Sequence, residues 1–287
     1  MNEAAPAQPS ASTLRPGQPW RGGEPPPLQP VLGVTGTLRA VLRGVAILLV
    51  LLLGVAALLL LRLVERPFAG PRRPLSGPLV QGVCRLCLAI LGLRWRRVGK
   101  PMNAPGAAVA NHTGWLDIFV LNAAMPVFFV SKAEVAGWPG INLLTRVTDT
   151  HFVVRDPRLA RAQAAEFAAR TRAGHRLLFF PEGTSTDGRR VLPFKPTLFQ
   201  GFFDPALPAG LALQPVSVRY EAPPVRDPRF YGWWGDMELR PHLLAVLAQA
   251  PQGSVTVTLH EPVPVAGHDR KSLAAACERA VRTGGPG

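Results

Sequence analysis

His112 and Asp117 stand in the run VANHTGWLD with four residues between them and a short apolar stretch in front. A neutral imidazole can take a proton from an attacking hydroxyl, while a neighbouring carboxylate fixes its tautomer and stabilises the imidazolium that forms. In a continuous helix, side chains five residues apart diverge by about 140°. The two groups therefore meet only if His112 lies on a loop running into a helix whose early turns carry Asp117; that helix is predicted to begin near Thr113 or Gly114.

A second cluster lies in FFPEGTSTDG, residues 179–188. A strand is expected to end at Phe179-Phe180, and Pro181 to break it. The following turn presents Glu182, Thr184, Ser185 and Thr186 with several backbone N–H groups, suited to an anionic or carbonyl-oxygen site. An ordinary polar turn has a similar composition. GTSTD also comes close to the G-x-S-x-G elbow of serine hydrolases, but Asp187 replaces the final glycine. His151, His175, His242, His260 and His268 show no metal-ligand spacing, so no metal is expected.

These groups need a scaffold. GAAVAN, VFFVSK, HFVVRD, RLLFFPEG, LALQPVSVRY and SVTVTLHEP read as strands. Helices are expected over WLDIFVLNAA, over the Ala/Arg-rich stretch from Pro157 to Gly174, and over DRKSLAAACERAVRT with Asp269 as its cap. The alternation predicts an α/β domain, a mixed central sheet flanked by helices, over residues 99–287.

Ahead of it, residues 45–61 form seventeen uncharged positions between Arg43 and Arg62, about one bilayer crossing. Residues 39–98 are read as a membrane anchor, with a transmembrane helix near 44–63 and an interfacial helix near 76–93 that Gln81 and Arg85 interrupt. Residues 1–38, rich in Pro, Gly and Ala at their start, read as a disordered tail. Arg62, Arg66, Arg72 and Arg73 follow the anchor, against Arg39 and Arg43 before it. The positive-inside bias then puts the domain on the cytoplasmic face of the inner membrane.

Cys84 and Cys87 form a C-x-x-C inside the second apolar segment, and Cys277 is the third cysteine. Packing is expected of them, with no disulfide and no zinc site. The net charge of +14 is compatible with nucleic acid, anionic lipid or soluble anions. The apolar anchor favours the last two, and no zinc-finger or RNP-type motif supports a nucleic-acid partner.

Together, NHTGWLD and FPEGT resemble the N-H-x4-D and F-P-E-G-T blocks of the glycerolipid acyltransferases, the superfamily that includes bacterial 1-acylglycerol-3-phosphate acyltransferases. Lys132, Glu134, Pro139, Gly140 and Arg155 are similar to a block between them, and Gln214, Pro215 and Val216 to a later strand. The resemblance spans about residues 95–265 and implies an O-acyltransferase. His112 would be the general base and Asp117 its partner. Asn111, Arg155, Glu182, Gly183, Thr184, Ser185 and Lys195 would bind substrate, Arg155 through an anionic group. The donor would be acyl-ACP or acyl-CoA, the acceptor a lysolipid in the membrane, and no cofactor would be needed.

Two departures from the family pattern matter. Phosphate-acceptor members usually follow F-P-E-G-T with Arg, whose guanidinium suits a phosphate; this chain has Ser185. The run is closer to the branch that acylates lyso-ornithine lipid. Arg189, Arg190 and Lys195 keep a 1-acyl-sn-glycerol-3-phosphate acceptor open. Asp149 stands where the family often has Gly, which affects a turn rather than the chemistry. A serine hydrolase using Ser185 and a non-catalytic membrane scaffold are the alternatives from other classes.

Overall fold

The computed structural model describes residues 19–286 apart from 23, 28, 71–72, 133–150, 154–165, 167 and 206. At the centre of its sheet is β2 (Gly106–Ala110), buried at every residue. A strand covered on both faces must be apolar throughout instead of alternating, and GAAVA is. It runs parallel to β5 (Leu177–Phe179) on one side and β6 (Ala212–Glu221) on the other. Beyond β5 come β3 (Phe128–Lys132) and β4 (His151–Val153), both parallel. Beyond β6 the sheet turns antiparallel at β7 (Ser254–Leu259), whose outer edge carries β1 (Arg94–Val98). A short β8 (Val263–Pro264) also pairs with β6. The expected mixed α/β sheet is therefore present.

Ala108, Ala110, Val218 and Tyr220 face one core, with Leu121 of α3 (Asp117–Ala124) and Val246 of α4 (Leu239–Ala248). Ala107, Val109, Leu177 and Phe179 face the other, under α5 (Arg270–Gly284) and a 3-10 segment, Pro196–Phe203. Asp269 caps α5 as expected, accepting from Ser272 N at 2.7 Å, a contact contributing about 1 kcal/mol.

The N-terminal half differs from expectation at its boundaries. The apolar helix α1 runs from Val34 to Ala69 and contains the 44–63 stretch read as the membrane crossing. Its 36 residues extend about 54 Å at 1.5 Å each. The start of α1 is docked, not free: Arg39 Nη1 donates to Ala248 O (2.7 Å), and Arg43 Nη1 to Leu247 O and Gln249 O (3.0 and 2.6 Å) at the end of α4. Farther on, Gly54 lets α2 (Ser76–Leu91) approach, since a Cβ there would lie 2.8 Å from Val83. Leu42, Leu49, Leu52, Leu53, Leu60 and Leu63 remain exposed.

Two stretches change assignment. Residues 94–98, placed in the anchor, are β1 of the catalytic sheet, and Trp20, placed in the tail, is buried. The Arg-rich β1 has its charges outward because it is an edge strand. Gln81 and Arg85, read as breaks in an interfacial helix, have another role: both donate to Ala123 O (3.1 and 3.0 Å). Arg97 Nη1 donates to Ala124 O (2.9 Å). These bonds satisfy carbonyls that the end of α3 would leave unpaired. Cys84, Cys87 and Cys277 are buried free thiols.

Candidate active site

α3 begins at Asp117 itself, three or four residues later than the sequence suggested. The reason is the Asp117 side chain. Its Oδ2 accepts from Thr113 N (2.7 Å) and Gly114 N (3.1 Å), so the preceding residues close a turn over the carboxylate and do not join the helix. The same oxygen meets His112 Nδ1 at 2.7 Å. That contact assigns the proton on Nδ1 and leaves Nε2 to accept another. Asp117 is wholly buried, and the His112 side chain is 24% exposed. The pair is thus open to substrate only on the imidazole side.

Glu182 joins the two motifs. Its Oε1 accepts from His112 N (2.7 Å) and its Oε2 from Leu192 N (2.8 Å), with the side chain buried. Burial pushes its carboxyl up to about 8, against the two amide bonds, which pull it down. The parallel pairing of β2 with β5 makes the contact possible by bringing the C-terminal ends of both strands side by side.

Not every expected residue faces the opening. Asn111 is fully buried; its Nδ2 donates to Val218 O (2.9 Å) and its Oδ1 accepts from Val218 N (2.8 Å). Both polar ends engage Val218, extending the β2–β6 pairing by one rung next to His112. Gly183, at φ +73, lies under Lys195, and a Cβ there would sit 2.9 Å from Nζ. Thr184 and Ser185 are half-buried on the same turn. Thr184 Oγ1 accepts from Trp20 N (3.1 Å). Arg155 lies outside the described residues, as do Glu134, Pro139, Gly140 and Asp149. Asp187, which stands at the final glycine of the hydrolase-like GTSTD run, pairs with Arg190 (2.9 Å).

Four contacts that support the site were not foreseen from the sequence. Tyr220 OH donates to Asp117 Oδ1 at 2.8 Å. Phe180 stacks on the His112 ring, with centroids 3.9 Å apart and planes at 15°. Thr186 donates from N and Oγ1 to His112 O (2.9 and 3.1 Å). Trp115, inside the first motif, donates to His242 Nδ1 (2.9 Å), and His242 Nε2 donates to Phe230 O (3.1 Å). The motif itself contained a signal for Phe180, the residue before Pro181. Nothing local pointed to Tyr220.

This arrangement is an imidazole held by a buried carboxylate beside a polar turn. Comparison with known proteins points the same way. A family model described as Acyltransferase matches residues 97–219. The chain is 54% identical over 266 residues to a lyso-ornithine lipid O-acyltransferase of Rhodobacter capsulatus, covering 92% of this chain and 96% of that one. It is 35% identical to a 1-acyl-sn-glycerol-3-phosphate acyltransferase of Neisseria gonorrhoeae, covering 43% and 48%. The crystal structure of the 1-acyl-sn-glycerophosphate acyltransferase PlsC from Thermotoga maritima superposes with a TM-score of 0.61 at 19% identity, over 87% of this chain and 95% of that one, a likeness of fold.

Proposed function

Because the chain belongs to the acyltransferase family and is an acyltransferase acting on lipid, we propose that it moves a fatty acyl group from acyl-ACP or acyl-CoA to the hydroxyl of lyso-ornithine lipid. His112 is the base. Its Nε2 takes the hydroxyl proton as the oxygen attacks the thioester carbonyl. The tetrahedral intermediate then expels the thiolate, which recovers a proton from the imidazolium, and the ester is released with no acyl-enzyme. Asp117 holds the ring and stabilises its charged form. No cofactor enters this scheme. The 2.7 Å contact between His112 Nδ1 and Asp117 Oδ2 is the observation that carries it.

Glu182 fixes the turn bearing Thr184 and Ser185 against the base, and that turn, with Lys195, lines the acceptor site. Ser185 in place of the arginine of phosphate-acceptor members, together with the 54% identity to a lyso-ornithine lipid O-acyltransferase, supports the acceptor. Arg155 binds an anionic group of one substrate. The apolar α1 associates with the membrane, on the cytoplasmic face of the inner membrane, where both substrates are reached.

The test is transfer by the purified protein, with acyl-ACP and acyl-CoA offered separately and the two lysolipids in competition. Lyso-ornithine lipid should be preferred to lysophosphatidic acid. His112→Ala should lose about 10²–10⁴-fold in kcat, while Ser185→Ala keeps transfer. Retained activity in His112→Ala, or preference for lysophosphatidic acid, would overturn the base or the acceptor respectively.

A further inference from the structure

Residues 19–22 and 24–27 precede the long apolar helix in the chain, yet the fold carries them to the loop that Glu182 fixes and to the loop after β6. Trp20 N donates to Thr184 Oγ1 (3.1 Å) across 164 positions. The indole is 8% exposed, packed with Leu192 and with Trp234 at 6.2 Å between centroids. Leu192 is the residue whose amide Glu182 holds. Arg190 lies over the Trp20 ring at 5.0 Å and pairs with Asp187 at 2.9 Å, yet its side chain stays 53% exposed.

The rest of the segment is tied to the loop after β6. Arg21 pairs with Asp236 (3.1 Å), while Arg229 pairs with Glu24 (3.3 Å) and donates to Pro25 O (3.2 Å). Gly22 turns the segment at φ +73, and a Cβ there would stand 3.3 Å from the Trp20 ring. Exposed ion pairs of this kind hold weakly, so the buried indole is the main fastening. At its other end the segment runs into α1, which Arg39 and Arg43 fix to α4.

We propose that residues 19–22 and 24–27 belong to a strap that completes the acceptor site and that Trp20 is its positioning residue. One hydrogen bond from the strap holds Thr184, and the Trp20 ring lies beneath the Arg190 guanidinium, which Asp187 grips through Nε and Nη2 and which stays half-exposed. A guanidinium so held suits an anionic group on the charged head of a lysolipid. The inference rests on the Glu182–Leu192 loop being the acceptor loop. Setting both groups before the lipid arrives lowers the ordering cost of binding.

Steady-state transfer by full-length Trp20→Ala and Trp20→Phe in detergent micelles tests this, using whichever of lyso-ornithine lipid and lysophosphatidic acid the wild type accepts. Failure of the acceptor assignment then shows in the wild type's choice of lipid, and failure of the strap only in the variants. Trp20→Ala should raise KM for the lysolipid about tenfold, the scale of one lost oriented contact. The thioester KM and kcat should move by less than about twofold, and Trp20→Phe should recover most of the loss. An unchanged lysolipid KM in Trp20→Ala, or an equal rise for both substrates, overturns the strap.

Discussion

Both oxygens of Asp117 are fully engaged, Oδ2 by His112 and two backbone amides and Oδ1 by Tyr220. Burial and the Asp117 charge push the Tyr220 phenol well above its usual value, so it stays a donor at any working pH. Tyr220→Phe should cost about 1–3 kcal/mol in chemical denaturation by stranding a buried acceptor. It should also lower kcat, because the carboxylate is then free to tilt. Glu182 makes a different prediction. Its folded pKa, about 8, lies above the usual 4.5, so the folded state binds the extra proton. That contribution to stability is complete below about 4.5 and is lost as the pH rises through about 8. Thermal denaturation of Glu182→Gln from pH 5 to 9 should show a flatter pH dependence than the wild type; an identical slope would mean that Glu182 titrates normally. His112, Asp117 and Glu182 were legible because each lies in a short motif of recognisable order. Tyr220 was not, since 103 residues separate it from the carboxylate and only the sheet brings it near.

The turn at 113–116 is the element on which the site depends. Trp233 N donates to Thr113 O (2.9 Å), and a Cβ on Gly114 would sit 2.9 Å from Trp233 Cβ. Gly114→Ala should therefore displace the turn and cost about 1–3 kcal/mol by overpacking. Lost transfer should accompany it, measurable beside the denaturation midpoint, and wild-type activity would show that the turn tolerates the shift. The strands that carry the motifs were readable from apolar runs. β1 was hidden because Arg94, Arg96 and Arg97 suit an edge strand as well as a membrane-flanking segment. α4 was overlooked at the end of a Gly/Pro-rich loop. Gln81 and Arg85 looked like breaks in an apolar pattern because their partners, the last carbonyls of α3, are contributed by another part of the chain.

Across the whole molecule, α1 and its exposed leucines set how the enzyme meets lipid. If the +14 charge alone held it there, about 1 M salt would release it, since the Debye length falls to roughly 3 Å. Membranes washed in high salt should instead retain the protein, and detergent should free it; release by salt would count against an apolar anchor. The fold also explains why two motifs 70 positions apart act together. The intervening chain departs from the end of β2 and comes back along β5, its immediate neighbour. The departure and return points are fixed by adjacent rows of the sheet, so the length of chain beyond α3 does not set the distance between His112 and Glu182. A change of chain length beyond α3 therefore need not move His112 away from Glu182.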